Sequence, residues 1–282
     1  MKKIKGLFSL LRFELPFSAG VCVVMGQLLA LGQFASIAVT LFGFFAVFFI
    51  SASILVLNDY FDVETDKINA PHRPIPANIV TRPQALIFGL ILICVALILA
   101  CLLGVIALLW SIILLLIGFL YNRKFKKNGL AGNLLVSFSV GMTFIYGGIS
   151  VGLAYNKMVW FFAAIAALID LGEEIAADAM DMQGDTLIHS NSLALKYGKQ
   201  TALKISSYIF FFVVLLSALP FILNWFEIVY LLPISIMDFF IAYYAFKLLK
   251  SRNEEGRKYI RWIYLGATSG LVVFLLMRLF EV

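Results

Sequence analysis

The chain has 282 residues, 62% of them hydrophobic, against 22 Lys and Arg and 16 Asp and Glu. Soluble domains run nearer half apolar and a quarter charged, and one soluble core could not hide this much apolar surface. Together with 27 phenylalanines and a mean hydropathy of +0.99, the composition excludes a soluble enzyme and a disordered chain. Without repeated apolar/polar alternation it also excludes a membrane β-barrel, and it predicts an all-α polytopic membrane protein.

In chain order, the first segment, MKKIKGLFSLLRFELPF, is basic and amphipathic. It reads as a surface helix leading into the first span, since a signal peptide needs a longer apolar run and a small-residue cleavage site. Apolar stretches follow at 16–34, 36–57, 84–104, 105–121, 132–154, 158–178, 204–223, 226–247 and 259–280. A transmembrane helix takes about 20 residues, so these predict nine spans, the third and fourth divided near Gly104. Segments 58–83 and 179–203 read as long polar connections, 122–131 and 248–258 as short basic ones. Gly148 and Gly152 read as a helix-packing pair. Cys22, Cys94 and Cys101 lie in apolar runs with no CxxC, so neither a disulfide framework nor a zinc site is expected.

The net charge of +6 points to cytoplasmic loops rather than nucleic acid. With the N-terminus in the cytoplasm, alternation of nine spans leaves only Lys157 and Arg278 outside among the 22 basic residues. That asymmetry predicts an integral membrane protein with a cytoplasmic N-terminus, cytoplasmic acidic loops and the C-terminus outside. The expected organisation is one domain, 1–282, of two loosely related four-helix halves with a ninth helix appended.

Ten of the 16 acids fall in two windows, one ending the second span and one ending the sixth. At about 100° per residue, Asn58, Asp59, Asp62 and Asp66 share one helical face, and Asp170, Glu174, Asp178, Asp181 and Asp185 share another. Like charges at i,i+4 repel, and ionisable groups inside spans are costly unless they face a cavity or partner. Two such stripes at one membrane face call for divalent cations with oxygen ligands, and Mg²⁺ typically bridges carboxylates to phosphate oxygens. Nearby Lys67, Arg73, Arg123, Lys124, Lys126, Lys127, Lys196 and Lys199 supply the cations that hold a diphosphate. Arg73 and Lys124 are the two favoured. His72 and His189 read as ordinary loop histidines.

At this point the residues resemble a known family. Asn58-Asp59-x-x-Asp62-x-x-x-Asp66 and Asp178-x-x-Asp181-x-x-x-Asp185 look like the two signatures of the UbiA superfamily of intramembrane prenyltransferases. Arg73-Pro74-Ile75-Pro76, Tyr121-Asn122-Arg123-Lys124, Gly184-Asp185, Asn191-Ser192-Leu193 and Tyr197-Gly198 lie where that family has its supporting motifs, and the likeness runs from about 12 to 280. YNRKFKKNGLAGNLLVS and the GEEI before Asp178 look most like the archaeal digeranylgeranylglyceryl phosphate synthase branch. Two departures stand out. Glu173 occupies a position where the family often has a basic residue, and GDTLIHSNSLALKYG is a looser form of the family's second loop.

The resemblance implies nine helices around a central cavity and Mg²⁺-dependent transfer of a polyprenyl group, here geranylgeranyl, from its diphosphate to a lipophilic acceptor in the bilayer, with no obligate protein partner. The first acceptor expected is geranylgeranylglyceryl phosphate; aromatic acceptors of quinone synthesis, haem and a chlorophyllide are alternatives. It implies metal binding by Asn58, Asp62, Asp66, Asp178, Asp181 and Asp185, catalytic roles for Asp62, Asp66 and Asp181, and diphosphate binding by Lys67, Arg73, Tyr121, Lys124 and Lys127. A divalent-cation transporter is the competing class. Transporter sites usually lie near the midplane between broken helices, whereas both acidic windows here sit at one membrane face. A noncatalytic scaffold is a third reading.

Overall fold

A computed structural model describes residues 2–280. The order is α1 (Lys2–Leu10), α2 (Glu14–Leu31), α3 (Ile37–Phe61), α4 (Val63–Asn69), α5 (Arg82–Leu102), α6 (Val105–Leu120) and α7 (Leu130–Ser150). Then follow α8 (Lys157–Asp185), α9 (Leu193–Tyr197), α10 (Lys199–Leu216), α11 (Leu219–Ile222), α12 (Leu231–Leu248) and α13 (Asn253–Leu279). All regular structure among the described residues is helical.

Local signals set the helix ends. Ser36 caps α3 by accepting the Val39 N–H, Thr81 and Gln84 form a capping box on α5, and Asn156 Oδ1 accepts from Met158 and Val159 on α8. Gly104 breaks α5 from α6 where φ is +110°, close to the predicted division.

Eight helical segments among the described residues are long and apolar enough to cross a membrane. The sixth predicted stretch forms α8, a 29-residue helix that also carries Asp170, Glu173, Glu174, Asp178, Asp181 and Asp185. It packs against α7 on one side and α10 on another. The outward faces of the apolar helices expose Ile87, Ile98, Val105, Leu116, Phe239 and Phe246, as lipid-facing surfaces do.

The buried side chains fall into three groups. Val23, Met25, Phe144 and Tyr146 join α2 and α7. Ile175, Phe210, Ile241 and Ile263 join α8, α10, α12 and α13. The third group sets Leu10 and Leu11 against Val56, Ile75, Val80 and Leu92, seating the amphipathic α1 on α3, α5 and the segment between them.

In lipid, apolar contact alone does not drive helices together, and small residues permit close backbone approach. A Cβ on Gly26 would strike the Phe144 carbonyl, and one on Gly147 would strike the Val23 carbonyl. The two glycines thus bring α2 and α7 backbone to backbone. Gly147→Ala is expected to destabilise by about 1–3 kcal/mol, read as a lower midpoint of thermal unfolding in detergent; an unchanged midpoint would refute this contact. The predicted Gly148/Gly152 pair is not realised. Gly148 faces the Leu153 carbonyl, while Gly152 sits in the turn after α7 with φ +76° and nothing within 4 Å.

The two polar connections are more ordered than predicted. α8 continues to Asp185, and segment 58–83 contains the end of α3 and all of α4. Lys157 lies over Trp225, and Arg278 donates to the Gly32 carbonyl and the Tyr230 hydroxyl. These contacts collect the two basic residues predicted outside at one end of the molecule, opposite the acids.

Candidate active site

The helix of the first acidic window does not run straight. Asp62 has φ −89° and ψ 13°, ending α3 and starting α4. Its backbone N–H still donates to the Asn58 carbonyl, and its carbonyl accepts from Asp66 N–H and Thr65 Oγ1. The break turns α4 toward α8. There Asn69 Nδ2 donates to the Asp181 carbonyl at 3.3 Å and Asn69 Oδ1 accepts the Gly184 N–H at 3.1 Å. A Cβ on Gly184 would collide with the Asn69 side chain, so this glycine lets the two acidic elements meet.

Partners from several elements hold these acids. Arg12, between α1 and α2, pairs with Asp59. Arg73 reaches both oxygens of Asp66 at 2.6 Å and Asp59 at 3.5 Å. Lys126 pairs with Asp62, and Arg257 of α13 pairs with Asp181. Asn133 Nδ2 donates to Asp178 at 2.9 Å, Ser137 Oγ to Asp170 at 2.9 Å, and the Tyr121 hydroxyl to Glu174 at 3.0 Å. Asn58 Nδ2 donates to Asn122 Oδ1 at 3.0 Å, and Asn122 in turn donates to the Ile54 carbonyl. Burial lifts the Asp66 carboxyl above its ordinary range, against the pull of Arg73. Burial also lowers Arg12, with the Arg73 charge pushing the same way and Asp59 opposing.

These groups surround a cavity of about 940 Å³. Its polar end holds Asn58, Asp66, Arg73, Tyr121, Lys126, Asp178, Asp181 and Asp185, and its apolar walls include Met25, Val47, Ile50, Leu114, Phe144, Phe162 and Phe274. Asp62 lies just behind the wall, 9% exposed and held by Lys126.

The predicted diphosphate-binding residues divide. Arg73 and Tyr121 face the cavity. Lys67 is exposed and pairs with Glu64 at 2.9 Å, Lys124 is exposed above the Phe125 ring, and Lys127 is exposed. None of these three lysines lines the cavity. A π-helical turn, Tyr121–Phe125, follows α6 and aims Lys126 inward in their place. Sequence reasoning also passed over Arg12, Asn69, Arg257 and Arg261 as site residues. Their one signal was a basic or amide side chain close to a span end, which many other residues share. Of the histidines, His72 lines the cavity and His189 is exposed with φ +50°.

Nine carboxylates line the cavity (Glu14, Asp59, Asp66, Asp170, Glu173, Glu174, Asp178, Asp181 and Asp185) against the five cations Arg12, Arg73, Lys126, Arg257 and Arg261. Glu173 has an oxygen that is buried and unpartnered. Among the described residues, no three His, Cys, Asp or Glu side chains converge tightly enough to enclose one metal ion. The donor set is all oxygen, which suits Mg²⁺ held by one or two carboxylates plus substrate phosphate rather than by a complete protein cage.

The model of the UbiA prenyltransferase family matches residues 19–275. A digeranylgeranylglyceryl phosphate synthase of Methanocaldococcus jannaschii is 35% identical over 255 residues, covering 90% of this chain and 89% of the relative. A solved structure, described as giving structural and mechanistic insights into digeranylgeranylglyceryl phosphate synthase in membranes, superposes with a TM-score of 0.70 at 32% identity, covering 99% of each chain. A UbiA homolog from Archaeoglobus fulgidus, bound to GPP and Mg²⁺, shares the fold with a TM-score of 0.67 at 17% identity, covering 97% of this chain and 99% of that one.

Proposed function

The chain belongs to the UbiA prenyltransferase family, and from that premise we propose that it transfers a geranylgeranyl group from its diphosphate to geranylgeranylglyceryl phosphate, with Mg²⁺. The observation that carries this reading is the junction of α3 and α4 facing the end of α8 across the polar end of a cavity whose other walls are apolar. The names of the closely similar relatives support the acceptor, and the Mg²⁺-bound homolog supports the cofactor.

In this reading α8 is a ninth membrane helix, and the nine surround a central cavity. The helices form two related groups of four with α13 appended. The N-terminus and the acidic end face the cytoplasm and the C-terminus lies outside, in keeping with the positive charge at the acidic end.

Asn58, Asp62, Asp66, Asp178, Asp181 and Asp185 would hold Mg²⁺, directly or through water. When bound, Mg²⁺ supplies positive charge to the diphosphate oxygens where leaving-group charge develops. Arg73 and Lys126, now paired with Asp66 and Asp62, bind the diphosphate from the protein side, with the Tyr121 hydroxyl beside them. Lys67, Lys124 and Lys127 sit at the surface and serve at most to draw the anionic donor in. Phe144, Phe162 and Phe274 border the prenyl chain and exclude water that would capture an allylic cation. The C1–O bond of the donor breaks and its electron pair leaves with the diphosphate. The acceptor hydroxyl oxygen bonds to C1, and its proton passes to a carboxylate of the cluster or to the released diphosphate.

The test is incubation of purified protein with labelled geranylgeranyl diphosphate, Mg²⁺ and a panel of acceptors. Label in geranylgeranylglyceryl phosphate is expected. Label in a hydroxybenzoate or naphthoate instead would reassign the acceptor to quinone synthesis, and failure to bind the donor at all would reject the enzyme reading.

A further inference from the structure

We propose that α13 carries the site for the acceptor's phosphomonoester, formed by Arg257 and Arg261 with the Tyr264 hydroxyl and separate from the diphosphate site. The proposal rests on the prenyltransferase reading above and names where that reaction's second substrate is held.

The cavity face of α13 presents Arg257, Arg261, Tyr264, Thr268, Leu271 and Phe274. Spacings of three and four residues put them on one helical stripe. The stripe is graded, with two guanidinium groups, then two hydroxyls, then apolar side chains. That order matches an amphiphile with an anionic head, a glyceryl middle and a prenyl tail.

Attraction of basic residues to the membrane surface does not account for the stripe. The same end of the molecule has Lys247, Lys250, Arg252 and Lys258, none of which lines the cavity. Only the two arginines turn inward. The Tyr264 hydroxyl is buried without a hydrogen-bond partner, although the Arg261 guanidinium lies close by. A buried orphan donor is costly unless a ligand meets it. Each guanidinium can pair with phosphate through two parallel hydrogen bonds, and the tyrosine adds a hydroxyl donor.

Position supports the assignment. Arg257 pairs with Asp181 of the acidic cluster, and Arg261 pairs with Glu14 of α2 at 2.9 Å. The phosphate would therefore sit next to the reacting diphosphate, as an acceptor needs when its hydroxyl is one carbon away from its phosphoester carbon. On the α8 side, the charged side chains offered to the cavity are all acidic, Glu173 and Glu174 among them, and none is basic, which leaves α13 as the wall that receives the phosphate. The side chain of Arg261 is 62% exposed, so its replacement leaves the packing intact.

The test uses full-length protein in nanodiscs of neutral lipid, with Mg²⁺. Wild type, Arg261→Gln, Arg261→Lys and Tyr264→Phe are compared for the KM of geranylgeranylglyceryl phosphate, the KM of geranylgeranyl diphosphate, and the preference for the phosphorylated acceptor over geranylgeranylglycerol. Arg261→Gln is expected to raise the acceptor KM about tenfold or more and leave the donor KM within about twofold. The preference for phosphate should fall by a similar factor, with partial rescue in Arg261→Lys. Donor and acceptor KM rising together, or an unchanged preference, would overturn the proposal. Thermal protection by geranylgeranylglyceryl phosphate alone, measured without donor, should be lost in Arg261→Gln. Equal protection of wild type by inorganic phosphate or by ordinary anionic phospholipid would assign the arginines to general anion binding and also overturn it. If wild type transfers to neither acceptor, the activity reading falls, while loss of acceptor protection in Arg261→Gln would still uphold the phosphate site.

Discussion

Asp181→Asn is expected to lower turnover by at least about a thousandfold, the upper range for loss of one preorganised electrostatic group, while the protein stays folded. The substitution keeps the shape of the side chain and removes the charge. Asp181 lines the cavity and pairs with Arg257, and the two side chains are 29% and 34% exposed. A pair that open contributes no more than about 1 kcal/mol, so Arg257 can rehydrate and the fold is spared. Asp62→Asn should be as inactive but less clean. Asp62 is 9% exposed and held by Lys126, and breaking a buried pair from one side costs about 3–5 kcal/mol. Steady-state turnover and thermal unfolding of both variants separate the two effects. Full activity of either purified variant would sink the metal-site assignment.

Removing divalent metal should abolish turnover completely. The five cations lining the cavity are all paired with acidic side chains of the protein, so little free positive charge meets an entering diphosphate unless divalent cations accompany it. EDTA is therefore expected to bring transfer to background, and added Mg²⁺ to restore it. The fold should survive chelation, because Asp59, Asp62, Asp66 and Asp181 each have a cationic partner within the protein. Cooperative thermal unfolding in EDTA would show this directly, and persistent turnover in EDTA would refute the metal requirement.

The sequence by itself determined the all-α membrane architecture, eight of its apolar helices and the family. Backbone polar groups inside a bilayer must be satisfied within the segment, so an apolar run of span length has no structure open to it but a helix. The 16–34 stretch became Glu14–Leu31, and 132–154 became Leu130–Ser150. The acids on one face of α8 were legible for a similar reason. A helix carries its residues around at a fixed angle, and five of these acids line the cavity as the wheel requires. The second-window motif and Arg73 could be read directly.

Only the tertiary structure decided which cations face inward. Lys124 and Lys126 are two residues apart in one basic loop, and the π-helical turn after α6 leaves the first at the surface and sends the second to Asp62. Arg12 meets Asp59 across 47 residues of sequence, Asn69 meets Asp181 across 112, and Arg257 reaches Asp181 from α13. The turn at Asp62 likewise depends on α4 finding α8. A helical period is a local property that a short stretch of sequence specifies alone. The partner of a long, flexible cation is settled by where distant helices stop and which face each turns inward, and those come from packing the whole bundle.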